Sequence, residues 1–506
     1  MTMMTAEVNI EPRAGAREWL GLAVLMLPVL LISVDNTILN FALPQISEAL
    51  LPTGTQLLWI IDVYPLVLAG LLVSMGSLGD RVGRRKLLLI GAAGFGVVSI
   101  FAAYSPSAEA LIAARAALGL FGATLMPSTL SLLRNLFVNR EQRRLAVAIW
   151  GSAFAGGGAL GPIAGGFLLE HFWWGSIFLL SVPVLLPLFI LLPIVVRESK
   201  DPVDSPIDLL SALLVLLAMV PFVWSIKHAA DAGIDALAIG VFVGAIVFGA
   251  LFVRRQLRLQ HPMLDVSLFR IPAFSGAIVI NLLSIIAFVG GLFFITQHLQ
   301  LVLGMSPMNA GLVLVPGLAV MITAGLLVVP IARRVRPSIV IACALVFSVL
   351  CYGSIAVQGG SVSALGIALA VVALGIGVGA AETVSNDLIL ANAPASKAGA
   401  ASGLSETAYE LGSVLGVATL GTVLTASYSN HIVIPAGVSG ADAAAAAETL
   451  GGAMKVAEQL PAKLGDALSQ AAITAFSSGA SITAWLGAGL VVVAIIVSLT
   501  TLRNAK

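Results

Sequence analysis

The chain carries very little charge for its length. Of its 506 residues, only 10% are charged and 59% are hydrophobic. Soluble domains carry about 25% charged residues, so this chain has too few charged side chains to cover a globular surface of its size. Its net charge of +1 provides no basic field for nucleic acid. The composition therefore predicts a protein whose solvent is the lipid bilayer.

The sequence also lacks the residue patterns of common catalytic and metal sites. Its five histidines are scattered, and no HExxH, nucleophile-elbow or P-loop motif occurs. Cys343 and Cys351 are eight residues apart, which is about 12 Å along a helix and too far for a disulfide. We interpret both cysteines as packing residues. We expect no enzyme activity, no metal, no cofactor and no ATP-driven pumping by this chain.

Long apolar segments make up most of the sequence. About 20 apolar residues in a helix cross a bilayer. Fourteen segments are candidates, at approximately 19–41, 57–77, 87–104, 108–132, 146–169, 174–195, 207–227, 236–253, 273–301, 310–332, 338–357, 362–386, 398–427 and 479–502. The polar first 18 residues lead directly into the first segment, which we interpret as a retained span rather than a signal peptide.

Basic residues are distributed unevenly between the two sides of these spans. With the N-terminus inside, 22 of the 26 Lys and Arg residues fall in inside segments. Lys227, Lys455 and Lys463 fall outside, and Arg115 is the one basic residue within a span. Cytoplasmic loops of membrane proteins carry the excess of Lys and Arg. The pattern predicts that both termini are cytoplasmic.

Acidic side chains occur inside several apolar segments, where a charge costs about 2.5–3.5 kcal/mol at the bilayer centre. Such residues are usually retained for function. In the thirteenth span, Glu406 and Glu410 are four residues apart and share one helix face. The other candidates are Asp35, Asp62 and Glu382. The sequence leaves open that Asp62 is an interfacial residue exposed to water, and that Glu382 is a hydrogen-bonded structural acid.

A glycine-rich loop follows the second span, with the sequence GSLGDRVGRRKLL at 76–88. Glycines permit a tight turn and a close approach of helices, and an aspartate among arginines can hold two helix ends together. Ordinary anchoring by positive residues is the alternative. The residues of this candidate latch are Gly76, Gly79, Asp80, Arg81, Gly83, Arg84 and Arg85. The loop resembles a signature of the major facilitator superfamily.

The fifth span contains a second glycine motif, GGGALGPIAGG at 156–166. Glycine at every fourth position forms a smooth packing face, and a proline in mid-span bends the helix. The motif residues are Gly157, Gly161, Pro162, Gly165 and Gly166. This segment resembles the antiporter signature that is found chiefly among exporters of the same superfamily.

Three further segments indicate which family within the superfamily the chain resembles. Arg115 with Gly119 resembles the superfamily's fourth-span Arg-x-x-x-Gly feature. The segment SVDNTILNFALP, at 33–44, resembles a signature of the fourteen-span drug:proton antiporter family. The segment SETAYELG, at 405–412, closely resembles the thirteenth-span motif of QacA/LfrA-type multidrug (quaternary ammonium compound) exporters. Together these resemblances cover nearly the whole chain.

The resemblance implies an all-α membrane protein with the major facilitator fold, in which two six-helix bundles flank two extra transmembrane helices. The expected boundaries are 1–18 for a cytoplasmic tail, 19–200 for the N-terminal bundle, 201–255 for the extra linker helices and 256–506 for the C-terminal bundle. The two extra spans, 207–227 and 236–253, are expected between the halves, and a peripheral linker without direct transport contacts is the alternative. The Ala-rich segment 428–478 is expected to form an extracellular helical hairpin, with Pro461 between two short helices.

The acids and the resemblance together predict proton-coupled export of lipophilic cations, such as dyes, quaternary ammonium compounds and cationic antibiotics or antiseptics. Burial disfavours the anion of a carboxyl group, so a carboxyl in a cavity can hold a proton that an entering cation releases. We assign Asp35 and Glu406 as the principal acids and Glu410 as secondary, with Arg115 biasing their protonation. Candidate cavity side chains are Trp59, Tyr64, Asn36, Tyr409 and Asn386.

The expected setting is a monomer in the bacterial cytoplasmic (inner) membrane, whose partners are its small cationic substrates, protons and the lipid bilayer. Two alternatives stay open. The same fold could export an endogenous metabolite, a lipid or an antibiotic, and such a neutral or anionic cargo would not need several cavity acids. The second alternative is a non-transporting membrane sensor. Such a protein should have lost the intramembrane charges, which this chain retains.

Overall fold

Fourteen membrane-length helices make up the protein, which we describe from a computed structural model over residues 14–200, 208–231, 233–259, 262, 264–392 and 398–503. All fourteen are long and apolar enough to cross a bilayer, which confirms the number of spans predicted from the sequence. Most of the predicted tail, at 1–13, and the predicted start of the linker, at 201–207, lie outside these residues.

The N-terminal half contains six spans. Five are single helices: α1 (Ala16–Leu50), α2 (Gly54–Val82), α3 (Arg84–Ala103), α4 (Ala108–Leu136) and α5 (Arg140–His171). The sixth is formed by α6 (Ser176–Leu179) and α7 (Ser181–Val195). Side chains of Thr53, Ser107 and Asn139 accept hydrogen bonds from backbone N–H groups at the starts of α2, α4 and α5. Within this half α1 packs along α5, and α2 packs along α4.

Two helices follow before the second half, namely α8 (Leu209–Asp231) and α9 (Ala236–Gln256). Asp235 starts α9 by accepting a 2.7 Å hydrogen bond from the backbone N–H of Ala238. This bond and the neighbouring His228 side chain lower the pKa of Asp235. Most of α9 is exposed apart from its contact with α8. By contrast, α8 packs on α2 and on the C-terminal half.

The C-terminal half contains the remaining six spans. Its helices are α10 (Pro272–Gln297), α11 (Pro307–Ala332), α12 (Pro337–Gln358), α13 (Ala364–Ala391), α14 (Ala398–Gly416), α15 (Thr422–His431), α16 (Gly440–Glu448), α17 (Leu450–Gln459) and α18 (Ala462–Thr501). A π-helical turn at Val417–Gly421 joins α14 to α15 in one span. Cys343 and Cys351 lie unbonded in α12, the first exposed and the second buried.

The segment before the last span differs from the prediction. Two short helices, α16 and α17, are present, but both precede Pro461. The helix after Pro461 is α18, which runs unbroken for 40 residues and includes the last span. Pro461 stands immediately before this helix, where its missing N–H interrupts no helical hydrogen bond. The predicted second short helix is therefore the first part of a long one.

One end of the bundle is rich in arginine, and we call it the basic end, defined by Arg17, Arg84, Arg85 and Arg134. The Arg17 guanidinium donates a 2.7 Å hydrogen bond to the carbonyl of Ile194 at the end of α7. The backbone N–H of Arg84 donates to the carbonyl of Ser199 at 3.0 Å. These bonds bring the start of α1, the start of α3 and the end of α7 to the same end.

The opposite end carries α16 and α17 and is closed. The hydroxyls of Ser47 and Thr449 lie 2.8 Å apart, which ties α17 to α1. At the same end α5 and α11 approach so closely that a side chain would not fit. A Cβ atom on Gly166 would lie 2.6 Å from the Cα atom of Met308. The two halves therefore touch at this end.

Candidate functional site

A cavity of about 350 Å³ lies between the two halves and reaches the basic end. Its walls come from α2, α4, α5 and α14. It extends from Asp80 and Arg134 at the basic end to Glu406. The apolar part of its lining comprises Leu72, Val73, Met126, Pro127, Leu130 and Trp150. The cavity thus combines an apolar wall with one intramembrane carboxyl group.

Glu406, at the inner end of this cavity, lies near two further carboxyl groups of the C-terminal half, and we call the three the carboxyl cluster. Glu406 and Glu410 come from α14, Glu382 comes from α13, and Glu406 interacts electrostatically with both others. Glu410 is buried, and Glu382 and Glu406 are half-buried. Within the described ranges, no basic side chain lies at ion-pair distance from any of the three. When ionised, the cluster is a negative charge without a compensating cation from these residues.

The N-terminal half holds a compensated pair. Asp35 of α1 lies 2.7 Å from the Arg115 guanidinium of α4, and both side chains are buried. Arg115 also donates to the carbonyl of Ile60 at 3.2 Å and lies 4.4 Å from the ring centroid of Tyr64. The two residues singled out in the sequence therefore meet, and Arg115 neutralises Asp35 rather than Glu406.

Tyr64 connects this pair to the acids of the other half. Its side chain is fully buried and lies within electrostatic range of the carboxyl groups of both Asp35 and Glu410. Neither the Tyr64 hydroxyl nor Oε2 of Glu410 has a hydrogen-bond partner among the described protein groups. Tyr64 therefore lies near a carboxyl group of each half.

Asp62 forms a second buried ion pair, which the sequence analysis missed. Its carboxylate lies 2.7 Å from Nζ of Lys227 in α8, and the two side chains are 0% and 1% exposed. Placing Lys227 in an outside segment was therefore wrong, because α8 continues past it to Asp231 and keeps its ammonium within the bundle. The alternative that Asp62 is an interfacial residue exposed to water is contradicted by the same contact.

The predicted cavity residues lie elsewhere in the bundle. Asn386 accepts hydrogen bonds from the Asn281 amide, at 3.2 Å, and from the Ser405 hydroxyl, and so joins α10, α13 and α14. The ring of Tyr409 packs edge-on against Phe154 of α5, with centroids 5.8 Å apart. The lining of the 350 Å³ cavity includes none of Trp59, Tyr64, Asn36, Tyr409 and Asn386. The aromatic and thioether side chains that do line the cavity are Trp150 and Met126. Nothing in the sequence distinguishes them from the other apolar residues of their spans.

The glycine motif of α5 forms its contact with α1. Gly157, Gly161 and Gly165 face α1, where the atoms nearest to an added Cβ belong to Ser33, Thr37 and Ile38, respectively. Pro162 lies within the helix, and its carbonyl oxygen would be 2.5 Å from a Cβ atom on Gly311 of α11. The motif therefore allows α5 to pack tightly against both halves.

The loop motif holds the ends of α2, α3 and α7 together. Arg84 lies 2.6 Å from Asp80, and Gly83 adopts φ +119°, a backbone conformation that disfavours a side chain. The carboxylate of Glu198 accepts hydrogen bonds from the backbone N–H groups of Arg85 and Lys86, at 2.9 and 3.0 Å. Glu198 was missed because it lies 112 residues from Lys86 and belongs to no recognised motif.

We expect Glu198→Gln to destabilise this latch by about 1 kcal/mol, because a neutral amide accepts more weakly from the N-terminus of α3 than a carboxylate does. Thermal unfolding of the purified protein in detergent measures the effect. Glu170→Gln makes the same chemical change at an exposed position of α5 and serves as the matched control. Equal melting temperatures for the two variants would contradict a latch role for Glu198.

The family model described as Major Facilitator Superfamily matches residues 25–417. The chain belongs to the major facilitator superfamily. It is 54% identical over 482 residues to the multidrug efflux pump LfrA of Mycolicibacterium smegmatis, covering 95% of this chain and 96% of the relative. It is 35% identical over 462 residues to the methyl viologen resistance protein SmvA of Salmonella typhimurium, covering 91% of this chain and 93% of that relative. The resemblance to multidrug exporters is thereby confirmed.

Solved structures agree with this assignment at the level of the fold. A bacterial homolog of the human lysosomal transporter Spinster, in an inward-facing and unoccupied conformation, aligns with a TM-score of 0.65 at 16% identity. The alignment covers 97% of this chain and all of that chain. The peptide transporter POT in complex with sulfate aligns with a TM-score of 0.59 at 15% identity, covering 96% and 95%. The predicted major facilitator fold is confirmed, and the protein is a membrane transporter rather than an enzyme.

Proposed function

We propose that this protein is a multidrug efflux pump that exports lipophilic cations in exchange for protons. One observation carries the proposal. Glu406 lines an apolar cavity, and neither it nor the neighbouring Glu382 and Glu410 has an ion-pair partner among the described basic residues. The names of two relatives, a multidrug efflux pump and a methyl viologen resistance protein, support it, because methyl viologen is itself a cation.

The exchange begins when the cavity faces the basic end. A lipophilic cation places its apolar body against Val73, Met126 and Trp150 and its charge near Glu406. At about 4 Å and an effective dielectric constant of 20, such a pair of charges attracts by about 4 kcal/mol. The cation therefore favours the carboxylate over the protonated acid, and the proton leaves. When the halves rock to open the opposite end, protons from that side displace the cation.

Asp35 has a different role in this scheme from the one that the sequence suggested. In the present conformation its charge is neutralised by Arg115, so the acids of α13 and α14 receive the cargo. Protonation of Asp35 from the opposite end would free the Arg115 guanidinium, which cannot lose its own proton. We propose that this change is transmitted through Tyr64 to Glu410 and disfavours the carboxylate–cation pair, so that the cargo leaves.

We propose that the basic end faces the cytoplasm of a bacterium, that both termini are cytoplasmic and that the protein acts as a monomer in the inner membrane. The support is the distribution of Lys and Arg, of which 22 in 26 fall on one side of the predicted spans. In this orientation the present cavity opens toward the cytoplasm, from which cargo is collected. The helices α16 and α17 then lie outside the cell.

Purified protein in liposomes tests the exchange directly. We expect ethidium to accumulate when the lumen is made more acidic than the buffer, because outward proton flow drives dye inward, and we expect nigericin to stop it. Ethidium uptake at the same rate with and without the pH gradient would contradict proton antiport. A neutral antibiotic tests the remaining alternative. Another relative, 33% identical to this chain, is named as a tetracenomycin C resistance and export protein. If tetracenomycin C is transported while ethidium is not, the proposal of a cationic substrate class is wrong.

A further inference from the structure

Lys227 brings a buried positive charge into the protein from a helix outside the two six-helix bundles. Its Nζ atom lies 2.7 Å from Oδ2 of Asp62 and 4.3 Å from the ring centroid of Trp59. A carboxylate and the face of an indole ring are the two groups by which proteins most readily bind ammonium cations. Trp59 and Asp62 therefore form a complete cation site, which the chain fills with its own side chain.

This site lies where α8 contacts both halves of the protein. The helix α8 that carries Lys227 packs against α2 of one half and against α15 and the π-helical turn of the other. Leu66 of α2, Val223 of α8 and Val414 of α14 belong to one small buried cluster, against which Trp59 packs. Because α8 touches both halves, a change in their relative positions changes the surroundings of Lys227.

The Lys227 ammonium also has a second polar environment within reach. Lys227 lines a cavity of about 50 Å³ near the opposite end, together with Thr422, Thr425, Ser429, Asn430 and Glu448. The carboxylate of Glu448 accepts a hydrogen bond from the backbone N–H of Gly54 at 2.9 Å, which fixes an acceptor in this cavity. His228, the next residue, is engaged elsewhere, with Asp235 at 3.2 Å. Lys227 is therefore the side chain of α8 that lies between the two environments.

We propose that Trp59 and Asp62 form a second cation site on the export route, and that Lys227 is its resident counter-ion, displaced toward Glu448 when a lipophilic cation arrives. The inference rests on the proposed function, because only a cationic cargo competes with an ammonium for a carboxylate and an indole face. The exchange conserves charge, since one cation leaves Asp62 as another reaches it. The return of Lys227 to Asp62 then displaces the cargo, which makes release faster than simple dissociation.

Binding of tetraphenylphosphonium to the full-length protein in nanodiscs tests the proposal by calorimetry. Lys227→Met removes the competing charge and keeps the length of the side chain, so this variant should bind the cation about tenfold more tightly than the wild type. Adding Asp62→Asn to this variant should remove the gain in affinity. Lys227→Arg keeps a cation in place and is the matched control, with wild-type affinity. Ethidium transport by Lys227→Met should fall by about tenfold, because the cargo then leaves Asp62 without a competitor.

The outcomes separate this inference from the proposed function. If the wild type binds no tetraphenylphosphonium, the proposed function fails. If the wild type binds the cation and Lys227→Met has the same affinity and transport rate, the inference alone is overturned. Should Lys227→Met fail to fold, Trp59→Leu decides, because it keeps the ion pair and removes the aromatic face. Slower transport with unchanged thermal stability supports a cation site at Trp59, and unchanged transport refutes it.

Discussion

Proteoliposomes containing Glu406→Gln should take up ethidium no faster than liposomes without protein. Glutamine has the shape of glutamic acid but cannot release a proton or neutralise a cation. Glu406 is the intramembrane acid that lines the 350 Å³ cavity, so the loss removes the carboxylate that pairs with the cargo at the inner end of this cavity. An attraction of about 4 kcal/mol corresponds to about a thousandfold in affinity. The initial rate of uptake under an imposed pH gradient measures the effect.

Asp387→Asn is the matched control for this result. Asp387 lies on α13, five residues after Glu382, but its side chain is exposed and does not line the cavity. We expect this variant to transport ethidium at the wild-type rate. If Glu406→Gln also transports at that rate, Glu406 has no part in coupling. The remaining cluster acids, Glu382 and Glu410, would then have to be replaced together to locate the exchange.

The spans and the two members of the Asp35–Arg115 pair, though not their pairing, could be predicted from the sequence because each leaves a strong local signal. Some twenty apolar residues without charge identify a membrane helix with little ambiguity. A lone arginine and an aspartate inside such helices are costly unless they meet, and Asp35 and Arg115 do meet. The glycine spacing of α5 likewise predicted a close helix contact, which the structure places against α1 and α11.

The missed features depend on distances that the sequence does not contain. Lys227 stands at the end of an apolar run, where an anchoring lysine and a buried one have the same local pattern. Its burial is decided by Asp62, which is 165 residues earlier and on another helix. Trp150 and Met126 were missed because hydrophobic residues face lipid, neighbours and the cavity alike in a membrane protein. Pro461 was misread because a proline can start a helix as readily as it separates two.

Asp35→Asn should abolish transport and also destabilise the protein by about 3–5 kcal/mol, because removing one partner of a buried ion pair leaves the other charge uncompensated. Arg115 is 2% exposed and remains protonated in proteins. The carbonyl of Ile60 and the ring of Tyr64 stay in contact with it, but neither carries a negative charge. Thermal unfolding in detergent measures the stability, and ethidium uptake measures the transport.

Two further variants separate the structural part of this effect from the functional part. Asp35→Asn with Arg115→Gln removes both charges, so stability should return most of the way to that of the wild type while transport stays absent. Asp208→Asn makes the same change opposite Arg255, at 2.8 Å in a pair that is 14% and 34% exposed. It should cost about 1 kcal/mol or less, since solvent screens such pairs. Transport recovered in the double variant would show that Asp35 only neutralises Arg115, and proton coupling would then have to reside entirely in the carboxyl groups of α13 and α14.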